Sequence, residues 1–327
     1  MSITSGRGPK GRAAEGWAAT GRATIGLDVG GTKVAAVLVE STTGTVLDRE
    51  RASSAGSATD LVATLTGLVG TLRSRSAGLQ VEVGAVGLGI AGLVDRDGVV
   101  RWSPNLPASV DHPVAAELAS GVGLPVVATN DATAATLAES RLGAGRGCDD
   151  VALVTLGTGI GAGFVVDGRL LRGAHGFAGE PGHMVVDPGG PEHLTGQRGP
   201  WEALASGNAL GRMATEAGFE SGPRAVAAMA DGDATATDVF DRWCREVARG
   251  LANLVVVLDS RRIVLGGGLV EVGEPLRLGV ASWLARLTPG ADSRPAVEVV
   301  LAELGSDAGA LGAGLLAGDQ VELQVGP

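Results

Sequence analysis

An apolar run that ends in a glycine-rich turn occurs three times along this 327-residue chain, at residues 25–32, 152–161 and 262–268. Each run has the composition of a buried strand, and glycines let the chain turn sharply at its end. No short-period solenoid repeat accompanies the recurrence. The pattern therefore predicts two similar halves, each a sheet with flanking helices, and the cleft between two such lobes is a natural nucleotide site.

The rest of the chain divides into further strands and helices. Apolar runs predict strands at 24–29, 33–39, 45–51, 83–90, 125–129 and 296–301. Helical periodicity predicts helices at 58–76, 112–120, 130–142 and 306–317, with more helices between 201 and 259. Ordered structure is expected to begin near Ala23, because the Gly, Ala and Arg content of residues 1–22 predicts a flexible N-terminal extension.

Charge and aromatic content exclude several classes of partner. The formal net charge is −10, and the first 22 residues are basic, so the remainder is more acidic still. A body this acidic repels phosphate backbones, and we expect no nucleic-acid partner. Aromatic residues make up 3% of the chain, with no Tyr, which argues against aromatic platforms for carbohydrate chains or single strands. A nucleotide must instead be held by backbone N–H groups, a helix N-terminus and a metal ion.

The cysteines and the apolar segments indicate a cytoplasmic protein. Cys148 and Cys244 are far apart and have no metal-site spacing, which suggests a reducing compartment without a disulfide framework. The N-terminus lacks the apolar core of a secretory signal. No run of about 18 apolar residues is present, so we expect no membrane association through a spanning helix.

Three glycine clusters are candidates for nucleotide binding. In the first, Asp28 at a strand end is suited to hold Mg²⁺ through water, and the cradle for phosphate that follows it consists of Gly30, Gly31, Thr32 and Lys33. A second phosphate loop is predicted at Gly157, Thr158 and Gly159. The third cluster opens a helix and leaves room for an adenosine at Gly266, Gly267 and Gly268. The alternative for each cluster is a plain turn.

The most reactive candidate is Asn130-Asp131, at the end of a predicted strand. A carboxylate at this position is able to accept the proton of a substrate hydroxyl as that hydroxyl attacks a γ-phosphate. The alternative is helix N-capping by either residue. Farther along the chain, Glu180, His183 and Glu202 offer donors and acceptors suited to vicinal hydroxyls, or else are scattered polar residues of a surface loop.

These pieces, in this order, resemble the ROK family of bacterial repressors, open-reading-frame proteins and sugar kinases. The resemblance runs from about Ala23 to Leu316. The segments that carry it are DVGGTK at 28–33, GLGIAGLVD at 87–95, SPNLP at 103–107, ND at 130–131, GTGIGAG at 157–163, GAHGFAGEPGHM at 173–184, WEALASGNAL at 201–210 and NLVVVLDSRRIVLGGGL at 253–269.

The resemblance implies an α/β, two-lobed, actin-like ATPase (ribonuclease H-like) fold with an active-site cleft between the lobes. Residues 23–129 with 304–320 would form the small domain and residues 130–303 the large one. Family members of this kind use ATP and Mg²⁺, and the resemblance also implies a homodimer.

The same resemblance assigns roles to the candidate residues. Asp131 would be the general base, with Gly92 close to the sugar ring. The residues expected to hold sugar hydroxyls are Asn105, Asn130, Glu180, His183 and Glu202. The loops at 30–33 and 157–161 would hold phosphates, and residues 266–268 the adenosine.

One segment departs from the family pattern. Typical members follow the E-x-G-H motif with a C-x-C-x₄-C cluster that binds structural zinc together with the histidine, and here those positions are His193, Thr195 and Pro200. His183 and His193 alone give too few ligands for a closed zinc site, so we predict no structural zinc. Packing from Trp201, or hydrogen bonds to the second ring nitrogen, would have to order His183. Ala91 also replaces a proline that many of the family's sugar kinases have.

The favoured function is therefore ATP-dependent phosphorylation of a free hexose, glucose by default, at the 6-hydroxyl. Amino sugars (N-acetylglucosamine, N-acetylmannosamine, kanosamine) and C7-cyclitols of antibiotic pathways are alternative acceptors. A sugar-responsive transcriptional regulator is disfavoured, because about 22 residues before the first strand do not make a helix-turn-helix domain. A non-catalytic sugar-binding protein is disfavoured by Asp131 and the two phosphate loops.

Overall fold

The computed structural model describes residues 21–54 and 56–325. The predicted extension at 1–22 therefore lies outside the described residues, apart from Gly21 and Arg22. These two residues belong to the first strand, which begins two positions before the predicted start of ordered structure.

A mixed five-stranded sheet forms the first half of the chain. Its elements are β1 (Gly21–Val29), β2 (Lys33–Glu40), β3 (Val46–Ser53), α1 (Ala58–Ser76), β4 (Val81–Ile90), the small hairpin β5 (Leu93–Val94) and β6 (Val100–Trp102), α2 (Val114–Val122) and β7 (Val126–Asn130). The strand order is β3-β2-β1-β4-β7. β1, β2 and β3 are antiparallel neighbours, whereas β1, β4 and β7 run parallel. Parallel strands end at one edge, and this edge carries Asp28 and Asn130.

The second half repeats this plan. α3 (Asp131–Leu142) leads into β8 (Val151–Leu156), β9 (Ile160–Val166) and β10 (Arg169–Leu170), and later come β11 (Arg262–Gly266) and β12 (Glu298–Leu301). The strand order is β10-β9-β8-β11-β12, with the same antiparallel and parallel pairs in the same places. The recurrence of apolar strands in the sequence thus corresponds to two sheets of one topology.

Helices between β10 and β12 enclose the core of the second half. They are α4 (Trp201–Ala205), α5 (Gly207–Glu216), α6 (Gly222–Ala230), α7 (Ala234–Leu258) and α8 (Glu274–Leu287). The rings of Trp201 and Trp243 are completely buried in this core. Gly250 of α7 lies against the Trp201 ring, where any side chain would overlap it.

Two helices each follow the last strand of one sheet but pack on the other sheet. α3 follows the last strand of the first sheet and packs on β8 and β9 of the second, whereas α9 (Ala308–Val325) follows β12 and packs on β1 and β4 of the first. α3 and α9 also pack against each other. Gly26, Gly87 and Gly312 permit these close approaches, because a Cβ on any of them would overlap a helix carbonyl.

Most predicted elements are observed, with shifts of up to three residues at their ends, whereas α9 continues to Val325, eight residues beyond its predicted end. α1 has the predicted limits, because Ser57 and Asp60 form a capping box at its start. The third glycine cluster differs from its prediction: Gly266 ends β11, Gly267 has a positive φ of 81°, and Gly268 begins a short 3-10 helix, so α8 starts only at Glu274. In the described part of the chain, no helix is long and apolar enough to cross a bilayer.

Candidate active site

A cleft of about 530 Å³ lies between the two sheets, at the carboxyl ends of the parallel strands. It brings together most of the residues that the sequence singled out, although they come from distant segments of the chain. Those that line it are Asp28, Gly92, Asn105, Asn130, Asp131, Gly157, Thr158, Gly159, Glu180, His183, Glu202, Gly266 and Gly267.

The segment 30–33 and Gly268 are not among the residues that line this cleft. The N–H of Gly30 donates to the carbonyl of Lys33 at 3.0 Å, which closes the turn between β1 and β2. Gly31 lies against Asn105, whose carbonyl oxygen would be 3.2 Å from a Cβ at position 31. The segment is thus a tight hairpin next to the cleft, and phosphate binding by its residues stays a prediction.

Asn130 and Asp131 stand where β7 passes into α3. The Asn130 side chain caps the helix by accepting the N–H of Thr133 at 3.0 Å, and its Nδ2 donates to the carbonyl of Gly92 at 3.1 Å. Asn130 therefore has the capping role that the sequence offered as the alternative, and it also fixes the loop at Gly92. Asp131 accepts the N–H of Ala132 at 2.9 Å through Oδ1, and its carboxylate faces the cleft.

The Gly92 backbone requires glycine on two grounds. Its φ of +125° lies in a region that side chains rarely occupy. A Cβ would also overlap the carbonyl of Trp102. At this position the loop therefore presents only backbone atoms to the cleft.

Asp28, near the end of β1, and Asp131, at the first position of α3 after β7, form an acidic pair. Burial, and next the charge of Asp131, raise the pKa of Asp28 to about 7. Burial also raises the pKa of Asp131, against the effect of its backbone hydrogen bonds. Perturbed carboxyl groups of this kind, recessed in a cleft, are typical of catalytic sites.

Glu180 and His183 come from the loop that follows β10, the histidine within the 3-10 helix Pro181–His183. Burial, then the charges of Asp131 and Glu202, raise the pKa of Glu180 to about 7. The Oε2 atom of Glu180 lies 3.9 Å from Nε2 of His183.

Two rings flank His183. Trp102 and His193 both meet it edge-on, with centroids 5.6 Å and 5.7 Å away. Trp201, the packing partner suggested from the sequence, instead directs its Nε1 to the carbonyl of Glu246 in the core.

The turn at 157–161 joins β8 to β9. The N–H of Gly157 donates to the carbonyl of Gly159 at 3.0 Å, and the N–H of Gly161 donates to the Thr155 hydroxyl. Within the part of the chain that the structure describes, no hydrogen bond uses the N–H of Thr158 or Gly159. Both groups are thus available to an anion in the cleft.

Sequence reasoning missed the segment 305–309, which contains the short 3-10 helix Gly305–Asp307 and the first residues of α9 and contributes Gly305, Ser306, Ala308 and Gly309 to the cleft. A Cβ on Gly309 would lie 2.6 Å from Oδ2 of Asp28, so only glycine lets the helix approach this carboxylate. The segment is about 280 residues from Asp28 in the chain, and its small residues carry no chemical signal of their own. The swapped position of α9 is what brings it here.

The carboxylates and imidazoles of the described residues bear on metal binding in the cleft. Among residues 21–54 and 56–325, no group of three or more His, Cys, Asp or Glu side chains is arranged to hold a metal ion. Mg²⁺ bound with a nucleotide needs only one or two carboxylates besides phosphates and water, and Asp28 fits that requirement. The absence of structural zinc stays a prediction.

The sequence profile of the ROK family matches residues 24–320, which is nearly the whole described chain. The chain belongs to the ROK family. A glucokinase of Streptomyces coelicolor is 35% identical over 320 residues, covering 90% of this chain and 97% of the relative. An N-acetylmannosamine kinase of Escherichia coli is 32% identical over 296 residues, covering 90% and 98%.

Among solved structures, a ROK family glucokinase from Streptomyces griseus, in complex with glucose and AMPPNP, superposes with a TM-score of 0.78. It is 35% identical, and the match covers 90% of this chain and 99% of that one. The fold is thus the two-lobed, actin-like ATPase fold, and the predicted α/β class is confirmed.

Proposed function

We propose that this ROK protein is an ATP-dependent kinase that phosphorylates the 6-hydroxyl of a hexose, with glucose as the default acceptor. The observation that carries the proposal is the position of Asp131, whose carboxylate shares one cleft with Glu180, Glu202 and the turn at 157–161. The glucokinases among its relatives support the same activity.

In the proposed reaction Asp131 accepts the proton of the sugar hydroxyl as its oxygen attacks the γ-phosphorus of ATP. The new O–P bond forms while the bond from the γ-phosphorus to the bridging oxygen breaks, and ADP leaves. A group transfer of this kind needs mainly positioning and charge neutralisation. The raised pKa of Asp131 makes it a stronger base than an exposed aspartate.

Other residues would position the two substrates. The sugar hydroxyls would be held by Asn105, Asn130, Glu180, His183 and Glu202, with the Gly92 backbone against the ring. Backbone N–H groups at 157–159 would hold phosphates, and residues 266–268 would accommodate the adenosine. Mg²⁺ bound with ATP would offset phosphate charge next to Asp28. The turn at 30–33 would complete the phosphate site from the small lobe.

An amino sugar, such as an N-acetylhexosamine or kanosamine, or a C7-cyclitol is the second candidate acceptor. Leu194 lines the cleft with 75% of its surface exposed, next to His193 in the segment that departs from the family pattern. An exposed apolar side chain at this rim is suited to contact an apolar substituent such as an acetyl methyl group. The N-acetylmannosamine kinase among the relatives fits this alternative.

ADP release with Mg-ATP tests the proposal directly. The assay compares glucose, mannose, N-acetylhexosamines, kanosamine and C7-cyclitols, each with and without enzyme. One acceptor well above the others identifies the substrate. ATP turnover that no acceptor stimulates contradicts the kinase assignment and favours a sugar-binding protein without catalysis.

We also propose, from family membership, a homodimer in the cytoplasm without a nucleic-acid partner. Residues 23–129 with 304–320 would act as the small domain and 130–303 as the large one, closing over the substrates. Light scattering of the purified chain measures the oligomeric state, and a monomeric mass would contradict the dimer.

A further inference from the structure

His193 belongs to the segment that departs from the family pattern, and its side chain contacts a carboxylate that lines the cleft. It lies in a tight hairpin, in which the N–H of His193 donates to Gln197 and the N–H of Gly196 donates back to His193, both at 2.8 Å. The Nε2 atom of His193 is 2.8 Å from Oε1 of Glu202. Its side chain is 9% exposed and that of Glu202 is 21% exposed, so water competes little for this hydrogen bond.

The surroundings of the imidazole define which nitrogen carries the proton. Nδ1 of His193 lies 2.9 Å from the Thr195 hydroxyl and 3.4 Å from the Thr195 backbone N–H, which is only able to donate. Nδ1 is therefore an acceptor, and the proton of the neutral ring is on Nε2. The Nε2–H group then points at the Glu202 carboxylate, which makes a charge-assisted hydrogen bond.

The other oxygen of Glu202 contacts the turn at 157–161, between β8 and β9. Oε2 accepts the N–H of Ile160 at 2.7 Å, and any side chain on Gly159 would overlap it. The carboxylate is thus held at both oxygens, by a ring on one side and by the candidate phosphate turn on the other. Each oxygen keeps further acceptor capacity toward the cleft.

We infer that His193 is a positioning residue. Its hydrogen bond to Glu202 holds the Glu202 carboxylate in the orientation that binds the acceptor sugar. The inference rests on the proposed function. Without Nε2–H, the carboxylate is held by Ile160 alone and rotates away from the sugar hydroxyls. The contact of Glu202 with the phosphate turn persists, so the effect falls on the acceptor and not on ATP.

A pair of substitutions separates this role from a general structural one. His193→Gln places an amide nitrogen near the position of Nε2, whereas His193→Asn places it near Nδ1. We expect His193→Asn to raise the KM for the sugar by about 10-fold to 100-fold, the loss typical of one charge-assisted hydrogen bond. The KM for ATP should change by less than about 3-fold, and His193→Gln should restore most of the sugar affinity. Equal sugar KM values in the two variants would overturn the inference.

A second measurement keeps the inference separate from the proposed function. The chain has four histidines, so a long-range ¹H–¹⁵N spectrum resolves their rings, and His193 is identified by its loss in His193→Gln. Recorded at a pH at which the ring is neutral, the spectrum should show the proton on Nε2. A ring protonated on Nδ1 would overturn the inference even in an active kinase. If the wild type phosphorylates no acceptor while this ring has the expected tautomer, the proposed function fails and the Glu202 contact stands.

Discussion

The carboxylate of Glu139, fully buried in α3, accepts the backbone N–H of Leu304 at 2.8 Å. It also accepts the N–H groups of Glu303 and Ala144. One side chain of α3 thus accepts the backbone N–H groups of Glu303 and Leu304, in the segment between β12 and α9. These contacts hold α3 to the segment that precedes α9, and Glu139 itself lines the cleft.

Glu139→Gln should lower the free energy of unfolding by about 2 kcal/mol. An amide retains only one acceptor oxygen, and its NH₂ group would face a backbone donor on the other side. Urea unfolding followed by circular dichroism measures the loss. Glu303→Gln is the matched control, because that side chain is exposed and its ion pair with Arg146 is long, so we expect a change below about 0.5 kcal/mol. Equal effects of the two substitutions would contradict the assigned role.

Asp131→Asn should reduce kcat about 10³-fold or more while leaving sugar affinity within a few-fold of wild type. The amide keeps the size of the side chain but is unable to accept the hydroxyl proton. Steady-state kinetics and calorimetric sugar binding measure the two effects. Asp292→Asn, at an exposed position away from the cleft, should behave as wild type. Undiminished turnover in Asp131→Asn would exclude this residue as the base.

The kcat/KM for the sugar should fall as the pH is lowered below about 7. Asp131 must be ionised to act as a base and its pKa is raised, so it is protonated at a higher pH than an ordinary aspartate. Glu180, whose pKa is raised to about 7, loses its charge as the pH falls through that value, and this sets the pH at which the decline begins. In Asp131→Asn the pH dependence of sugar binding should shift to lower pH, because the charge of Asp131 is one cause of the raised pKa of Glu180. A flat profile down to pH 5.5 would contradict the prediction.

Asp28→Asn should stabilise the free protein, and more so at pH 8 than at pH 5. The pKa of Asp28 is raised in the folded state, so its ionisation makes folding progressively less favourable as the pH rises from about 4 to about 7. Asparagine has no such ionisation. Thermal unfolding at both pH values, without nucleotide, measures the difference. A stabilisation that does not grow with pH would argue against a raised pKa at this position.

Protein purified without chelators should contain far less than one zinc per chain, and EDTA treatment followed by dialysis should leave sugar affinity unchanged. His193, Thr195 and Pro200 replace the three cysteines of the family cluster, and in the described chain His193 is hydrogen-bonded to Glu202. Elemental analysis decides the matter: one zinc per chain would show that other ligands complete a site.

The sequence predicted the strands, the main helices and most of the cleft, because these depend on local patterns. A strand that ends at Asn130 and a helix capped by it can be read from one short segment. The hydrogen bond between His193 and Glu202 could not be predicted in this way. The family pattern shows that His193 stands where a zinc-binding cysteine is usual, but it does not show which side chain His193 contacts. The position of segment 30–33 outside the cleft lining also depends on how the lobes are arranged, which no local pattern encodes.

The exchange of α3 and α9 determines when each half of the molecule becomes complete during synthesis. The first sheet is synthesised early, but the helix that covers Gly26 and Gly87 follows every strand of both sheets in the chain. Until residues 308–325 leave the ribosome, one face of that sheet has no permanent cover. The N-terminal half is therefore finished last, and a chain truncated before α9 would expose an apolar sheet suited to chaperone binding or aggregation.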